Sequence, residues 1–314
     1  MNKLSLIIPV FNEAEMIPIL LGRLSLVRSQ IFDALGEGSL LEYVFVNDGS
    51  SDGTDQVIEA LAKQDAEIKL VNLSRNFGKE AALSAGLRFV SGDAIVPLDA
   101  DLQDPPEVIV AMIQEWKAGA HVVNARRTDR RSDGVMKRTS AGAFYWLMRR
   151  ISDQPMHEHV GDFRLLDRKA VDVLNQLSES TRFNKGLFSW IGFRVATVDY
   201  VRPERAAGST KWKPAKLWSL ALDGITTSST LPLRIWTYIG GSIALLAFAY
   251  AIFLIVYTLV TGADTPGFAS IMVAVLMLGG LNLLSLGLIG EYLGRVAVEV
   301  RRRPLYVVES TRGF

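Results

Sequence analysis

The stretch Ala94-Ile95-Val96-Pro97-Leu98-Asp99-Ala100-Asp101-Leu102-Gln103-Asp104-Pro105-Pro106 places an acidic segment directly after an apolar one. The apolar segment predicts a buried strand. Asp99 and Asp101 are two residues apart, and in extended chain such side chains face the same way. Two carboxylates at the end of a strand suit a divalent cation, Mg²⁺ or Mn²⁺, held between protein and phosphates. Taken alone, the motif is weak evidence for a metal, because a solvated acidic turn explains most such matches.

Predicted strands and helices alternate on both sides of this stretch. Apolar runs predict strands at 4–10, 43–46, 68–73, 94–98 and 122–125. Helical spacing predicts helices at 15–27, 55–63, 79–89 and 106–119. This alternation is typical of a parallel sheet with helices on both faces.

Polar loops follow four of the predicted strands, at 9–13, 47–49, 74–79 and 99–101. The carboxyl ends of parallel strands form the ligand crevice of such folds. No Gly-x-Gly-x-x-Gly motif follows the first strand, and no Walker glycine loop occurs. Their absence argues against a dinucleotide oxidoreductase and against an ATPase. The loops instead favour a nucleotide that is held by side chains, with its diphosphate on a metal.

Composition excludes several classes of protein. The 314 residues include no cysteine, which excludes disulfides, thiolate metal sites and cysteine nucleophiles. The formal net charge of +1 gives no reason to expect a nucleic-acid partner. The N-terminus lacks the cleavage pattern of a signal peptide and reads as the first strand of a cytoplasmic domain.

Two long segments near the C-terminus, 235–260 and 267–290, contain no charged residue. Each exceeds the roughly 20 residues that cross a bilayer as a helix. Arg234 precedes the pair and Arg295 follows it, whereas the link 261–266 has one acid and no base. Basic residues flank the cytoplasmic ends of spans, so we expect both termini to be cytoplasmic.

These features predict six regions: a catalytic or binding domain (1–212), a juxtamembrane interfacial helix (213–233), a first transmembrane helix (234–260), an external loop (261–266), a second transmembrane helix (267–290) and a cytoplasmic tail (291–314). An ordinary domain helix is the alternative to the interfacial helix at 213–233. A basic cluster includes Arg127, Arg131 and Arg138. It fits contact with an anionic leaflet or a lipid phosphate, although a solvated face is the alternative.

Several of these motifs resemble those of one enzyme family. The runs are Ile8-Pro9-Val10-Phe11-Asn12-Glu13, Val46-Asn47-Asp48-Gly49, Asp99-Ala100-Asp101, Gly161-Asp162-Phe163-Arg164 and Arg205-Ala206-Ala207-Gly208-Ser209-Thr210-Lys211-Trp212. Together with the two spans, they resemble polyprenyl-phosphate glycosyltransferases of glycosyltransferase family 2. Within that family they are most similar to the bactoprenol glucosyltransferase group, which is related to dolichyl-phosphate mannose synthase. The resemblance implies an α/β GT-A (Rossmann-like) cytoplasmic domain and a C-terminal two-helix transmembrane hairpin.

The resemblance also implies roles for individual residues. Nucleotide-sugar binding falls to Pro9, Phe11, Glu13, Asp48, Lys79, Asp99, Ala100 and Arg126. The metal, Mg²⁺ or Mn²⁺, falls to Asp99, Asp101 and Gln103, and catalysis to Asp162, Arg205 and Lys211. Asn47 departs from the family pattern, in which many relatives have a second Asp. A helix N-cap before Phe163 is the alternative interpretation of Asp162.

The implied activity is inverting transfer of a hexose onto undecaprenyl phosphate at the cytoplasmic face of a bacterial inner membrane. UDP-glucose is the preferred donor, while GDP-mannose, UDP-amino sugars and a modified arabinose donor remain open. A processive polysaccharide synthase is disfavoured because the chain lacks a Gln-x-x-Arg-Trp motif. A non-catalytic membrane scaffold is the alternative from another class. The resemblance also implies a homo-oligomer, of which a tetramer is one form.

Overall fold

The computed structural model describes residues 2–128, 160–177, 187–188, 190–201, 231–261 and 267–314. Described residues up to 201 and from 303 onward belong to one compact unit, and residues 231–302 belong to a second. The first unit is an α/β domain. The second consists of two long helices.

The α/β unit contains eight strands and five helices among its described residues. The first half comprises β1 (Lys3–Val10), α1 (Met16–Leu35), β2 (Leu40–Asn47), α2 (Thr54–Ala62), β3 (Ile68–Leu73), α3 (Lys79–Phe89) and β4 (Ala94–Pro97). It continues with α4 (Val108–Lys117), β5 (Val122–Arg127), β6 (Val160–Asp167), α5 (Arg168–Gln176), β7 (Val195–Tyr200) and β8 (Val308–Arg312). The strands and helices predicted up to residue 125 are therefore present.

Helix α1 ends eight residues later than the sequence analysis predicts. The buried side chains Val27, Ile31 and Leu35 continue the apolar stripe of the first turns, spaced four residues apart. This spacing keeps one face of the helix on the sheet up to Gly36, which has a positive φ of 97°.

The eight strands form one sheet in the order β7-β5-β6-β4-β1-β2-β3-β8. Strands β4, β1, β2 and β3 are parallel, whereas β6 is antiparallel to both β4 and β5. Strand β8 runs antiparallel to β3 at one edge. The prediction of a parallel sheet is confirmed for the five predicted strands, β1 to β5, which all run in the same direction, but it did not include the antiparallel strands β6 and β8. It overlooked β6, because Asp162 and Arg164 interrupt the apolar pattern of that strand.

Alternate side chains of the central strands supply two apolar clusters, one on each face of the sheet. Leu4, Leu6 and Ile8 of β1 pack in the cluster that includes α1, α2 and α4. Ile7 faces the other cluster, with α3 and α5. Helix α3 lies very close to the sheet, since a Cβ at Gly86 would fall 2.2 Å from Cγ2 of Ile7. This close contact holds α3 against β1 and β2.

A buried carboxylate lies at the opposite end of the sheet. Glu42 is 1% exposed, and its Oε2 lies 2.8 Å from Nζ of Lys3 and 2.8 Å from Nζ of Lys69. Its Oε1 accepts hydrogen bonds from the hydroxyl of Ser5 and from the backbone N–H of Ser91, the latter at 2.7 Å. Burial by itself raises the pKa of Glu42, but these hydrogen bonds outweigh burial and lower the pKa to about 2.

The second unit comprises α6 (Leu231–Thr261) and α7 (Phe268–Val300). Among the residues whose side chains the structure describes, no helix has the length and apolarity needed to span a membrane. The predicted interfacial helix at 213–233 lies outside the described residues except for its last three, which begin α6. The segment 291–314, interpreted from the sequence as a tail, contains the end of α7 and strand β8. Strand β8 was overlooked because five residues without strong apolar alternation give little signal.

Candidate active site

A cleft of about 320 Å³ opens at the carboxyl ends of β1, β2 and β4. It is lined by Pro9, Val10, Phe11, Glu13, Asp48, Asn76, Gly78, Lys79, Ala82, Asp99, Ala100 and Asp101. All the residues predicted to bind the nucleotide sugar line this cleft, except Arg126. The structure thus brings together residues that are up to 92 positions apart, from Pro9 to Asp101.

Asp48 organises one wall of the cleft. It is 4% exposed, and its two oxygens accept hydrogen bonds from the backbone N–H groups of Phe77 at 2.7 Å and Gly78 at 2.8 Å. The neighbouring Gly49 has a φ of +72°, and a Cβ there would lie 2.5 Å from the carbonyl carbon of Arg75. The sequence Asp-Gly at this strand end therefore holds the loop 75–78 close against β2.

Lys79, the first residue of α3, lies between two carboxylates. Its Nζ is 2.7 Å from Oδ2 of Asp99 and 3.2 Å from Oδ2 of Asp162. Burial lowers the pKa of Lys79, but the two negative charges raise it by more, so the ammonium stays charged. This triad links the end of β4 with α3 and β6, and it places Asp162 beside Lys79, although Asp162 itself does not line the cleft.

The opposite wall is acidic. Burial raises the pKa of Glu13, and the nearby charges of Asp101 and Asp52 raise it further. Four of the lining residues are acidic and only Lys79 is basic. A negatively charged ligand such as a diphosphate therefore needs additional positive charge to enter this cleft.

The acidic turn after β4 has a constrained backbone. Leu102 has a φ of +57°, which is rare for a residue with a branched side chain. Oδ1 of Asp101 accepts the backbone N–H of Gln103 at 3.1 Å. Backbone strain of this kind persists only where the surrounding structure maintains it, and it is often found at functional sites.

The residues predicted to hold a metal differ in how well they fit that role. Asp101 lines the cleft and presents carboxylate oxygens, the ligands that Mg²⁺ and Mn²⁺ prefer. Asp99 already forms an ion pair with Lys79. Gln103 is only 4% exposed and does not line the cleft. Across the described part of the chain, no three acidic or histidine side chains converge into a metal-binding group. Asp101 is thus the residue that fits a metal shared with phosphate oxygens.

Arg126 is not placed in the cleft. Its guanidinium makes two hydrogen bonds to Asp199, of 2.6 and 2.9 Å, on the exposed surface where β5 and β7 end. Arg127 ends β5 and is partly buried. The other basic residues predicted to act here, Arg131, Arg138, Arg205 and Lys211, lie outside the described residues.

Asp162 is not a helix N-cap, so that alternative is wrong. It lies inside β6, and the side chain that caps the following helix is Asp167, whose Oδ1 accepts the N–H of Lys169 at 2.9 Å. The capping prediction failed because β6 was not recognised as a strand.

Sequence reasoning missed one buried basic group, which lies near Asp162 on the same strand. Arg164 is 3% exposed, and its Cζ lies 4.0 Å from the ring centroid of Phe188. Burial lowers the pKa of Arg164 to about 10, against the opposing effect of the Asp162 and Glu80 charges. In the motif Gly161-Asp162-Phe163-Arg164, the basic residue lies two positions after Asp162 and on the same face of a strand, and this spacing is the signal that predicts its placement. Asn76 and Gly78 also line the cleft without having been assigned a role.

Comparison with known proteins gives consistent matches. Residues 5–174 match the model of glycosyl transferase family 2, and residues 231–296 match the GtrB C-terminal hairpin. The chain is 47% identical over 309 residues to the SfII prophage-derived bactoprenol glucosyl transferase of Shigella flexneri, which covers 98% of each chain. It is also 47% identical over 310 residues to a prophage bactoprenol glucosyl transferase homolog of Escherichia coli, covering 99% of each. Among solved structures, a mannosyltransferase from Pyrobaculum calidifontis in complex with GDP-Man and Mn²⁺ aligns with a TM-score of 0.46 and 17% identity, over 96% of this chain and 87% of that one.

Proposed function

The chain belongs to glycosyl transferase family 2, and we propose that it transfers glucose from UDP-glucose to undecaprenyl phosphate at a membrane surface, with inversion. The observation that carries the proposal is the cleft in which Phe11, Asp48 and Asp101 come together at the carboxyl ends of parallel strands. The full-length similarity to bactoprenol glucosyl transferases supports the choice of sugar and acceptor.

The cleft suits a nucleoside diphosphate sugar in two ways. Phe11 is 46% exposed at its mouth and offers a flat apolar face on which a base can stack. The loop 75–78, held by Asp48, closes the wall behind it. The base would then lie between β1 and β2, with the diphosphate directed toward Asp99 and Asp101.

The acidic walls call for a cation with the diphosphate. Asp101 would hold Mg²⁺ or Mn²⁺, which would neutralise negative charge on the departing diphosphate. Arg205 and Lys211 stay predicted to contribute further positive charge there. The ammonium group of Lys79 fixes Asp99 in place on the same side of the cleft.

The acceptor phosphate needs little activation at neutral pH. The second pKa of a phosphate monoester is about 6, so the phosphate is already a dianion. One of its oxygens forms the new bond to the anomeric carbon while the bond from that carbon to UDP breaks, and UDP leaves. Asp162 lies next to this space, since its Oδ2 is 3.2 Å from Nζ of Lys79, which lines the cleft. We assign to it the orientation of the acceptor and the uptake of its last proton below pH 6.

Asp162→Asn should therefore lose activity in a pH-dependent way. Above pH 7 the acceptor has no proton to give up, and we expect kcat to fall by about 10-fold through poorer positioning. Near pH 5.5 the deficit should grow toward about 10²-fold, the effect of losing a proton acceptor. The measurement is the ratio of wild-type to variant kcat between pH 5.5 and 8, with Asp199→Asn as a carboxylate control outside the cleft. A ratio that stays constant with pH would exclude proton uptake by Asp162.

Helices α6 and α7 support a membrane hairpin. Residues 235–260 and 267–290 carry no charge, and the match to the GtrB C-terminal hairpin covers α6 and most of α7. Large apolar side chains are exposed on both, with Leu245 72%, Leu259 81% and Leu283 72% exposed. In water, such surfaces are unfavourable, whereas lipid would cover them.

We propose that the hairpin crosses the bacterial inner membrane twice and that both termini are cytoplasmic, where the basic flanks lie. The homo-oligomer remains a prediction.

The topology can be tested with single cysteines, because the native chain has none. Thr261→Cys, at the end of α6, should react with an impermeant thiol reagent in intact cells. Thr311→Cys, on the exposed side of β8, should react only after the membrane is permeabilised. Labelling of Thr311→Cys alone in intact cells would reverse the proposed orientation.

The donor is tested with a panel of nucleotide sugars. Purified full-length protein, polyprenyl phosphate and Mg²⁺ or Mn²⁺ are combined with UDP-glucose, GDP-mannose, a UDP-amino sugar or a UDP-linked modified arabinose. The proposal expects UDP-glucose to give the highest kcat/KM. A higher value for another donor would replace glucose while leaving the transferase class intact.

A further inference from the structure

Strand β8 meets the sheet beside the loop that forms one wall of the cleft. It pairs with β3 so that Ser310 lies opposite Asn72, with a bulge before Leu73. The backbone N–H of Ser74 then donates to the carbonyl of Val307 at 3.0 Å. This is the main-chain bond directly before loop 75–78, so residues far apart in sequence anchor the start of that loop.

A chain of side-chain hydrogen bonds leads from β8 toward the cleft. Nδ2 of Asn72 donates to Oγ of Ser310, and Nδ2 of Asn47 donates to Oδ1 of Asn72, each at 3.1 Å. Oδ1 of Asn47 in turn accepts the N–H of Ser50 at 3.1 Å. We refer to Asn47, Asn72 and Ser310 as the amide relay.

The relay is buried where it approaches the site. Asn47 and Asn72 are 4% and 8% exposed, so an amide group that lost its partner there would not readily find water. Asn47 is also the residue directly before Asp48. The orientation of Asn47 therefore affects the position of the Asp48 carboxylate, which accepts the N–H groups of Phe77 and Gly78.

Apolar packing supports the same connection. Phe77 of the loop, and Tyr306 and Val308 of the C-terminal segment, all pack against one buried cluster on the α3 face of the sheet. The loop and the C-terminal segment thus share a main-chain bond at Ser74, a side-chain relay and an apolar support. An edge strand that only shielded β3 would need none of the side-chain relay.

We propose that β8 is a positioning element of the nucleotide site and that Ser310, acting through Asn72 and Asn47, is a positioning residue for donor binding. That this ligand is a nucleotide sugar rests on the proposed function. The relay holds Asp48 and loop 75–78 in the arrangement that forms the cleft wall, before any nucleotide is bound. Ser310 touches neither the nucleotide nor the reacting atoms.

The first test measures binding of UDP with Mg²⁺ to the full-length protein in detergent. Ser310→Ala should raise the Kd by about 3- to 10-fold, the effect of one hydrogen bond, with kcat within about 2-fold of the wild type. Thr311→Ala removes a hydroxyl from the neighbouring, exposed position and should leave the Kd unchanged. Ser310→Thr keeps the hydroxyl and should restore most of the affinity. Equal Kd values for Ser310→Ala and Thr311→Ala would overturn the proposal.

The second test does not depend on the ligand. In hydrogen–deuterium exchange without nucleotide, Ser310→Ala should speed exchange of the Phe77 and Gly78 amides relative to Thr311→Ala. Faster exchange limited to β3 and β8 would show that β8 only covers a sheet edge, and it would overturn the proposal. If the wild type binds no UDP, the proposed donor fails, and this exchange measurement still decides whether β8 positions the loop.

Discussion

Asp101→Asn is expected to lower kcat by about 10²–10³-fold, because the amide is a poor ligand for the cation that the acidic cleft requires. Asp101 lines the cleft, and among the described residues its carboxylate accepts a hydrogen bond from the backbone N–H of Gln103, in its own turn. The asparagine side chain can keep that bond. The loss should therefore be one of catalysis and not of folding.

The prediction is checked by kinetics and by thermal unfolding together. The unfolding midpoint of Asp101→Asn should match that of the wild type, and half-maximal activity should need more Mg²⁺ or Mn²⁺. Asp172→Asn replaces a carboxylate that is 57% exposed, outside the cleft, and should behave as wild type. Wild-type rates for Asp101→Asn, or for the native protein in excess chelator, would remove the metal from the account.

Glu42→Gln is expected to destabilise the α/β unit by about 3–5 kcal/mol, because it leaves two lysines beside a neutral group in a buried site. Lys3 and Lys69 both lie 2.8 Å from the Glu42 carboxylate, which has almost no contact with solvent. The thermal unfolding midpoint of the full-length protein should fall by about 10 °C. Glu67→Gln is the matched control: Glu67 pairs with Arg28 but is 28% exposed, so its loss should lower the midpoint only slightly.

The same carboxylate predicts how stability depends on pH. The pKa of Glu42 in the folded protein is about 2, below its ordinary value of 4.5. Because the pKa is lower in the folded than in the unfolded protein, the ionised carboxylate stabilises the folded protein at pH values above about 4.5. This contribution is about 3 kcal/mol, and it is lost as the pH falls from about 4.5 toward 2. Glu42→Gln should flatten this part of the stability profile. An unchanged acid profile in the variant would contradict the role assigned to Glu42.

Sequence reasoning predicted the half of the fold that follows a regular pattern. Strands β1 to β5 and helices α1 to α4 were found because apolar runs alternate with helical spacing, and the loops after these strands were correctly placed at one edge. The extension of α1 to Leu35 was missed because Arg28 and Asp33 dilute the stripe that Ile31 continues.

The parts that could not be predicted depend on contacts between distant segments. Strand β6 carries Asp162, which contacts Lys79, and Arg164, which stacks on Phe188. Only these contacts explain why polar residues occur in this strand. Strand β8 has five residues, and its pairing with β3 joins positions that are more than 230 residues apart. Lys79 was assigned to the nucleotide pocket, but its pairing with Asp162 required β6 to be in place.

The central claim is that this cleft transfers a hexose to a lipid phosphate. The most direct measurement incubates the purified full-length protein with UDP-glucose, undecaprenyl phosphate and Mn²⁺, and analyses the extracted lipid by mass spectrometry, with Asp101→Asn as the parallel sample. The account predicts that the lipid gains one hexose on its phosphate in the wild-type sample and almost none in the variant. Unmodified lipid with every donor in the panel, or equal product from Asp101→Asn, would contradict it.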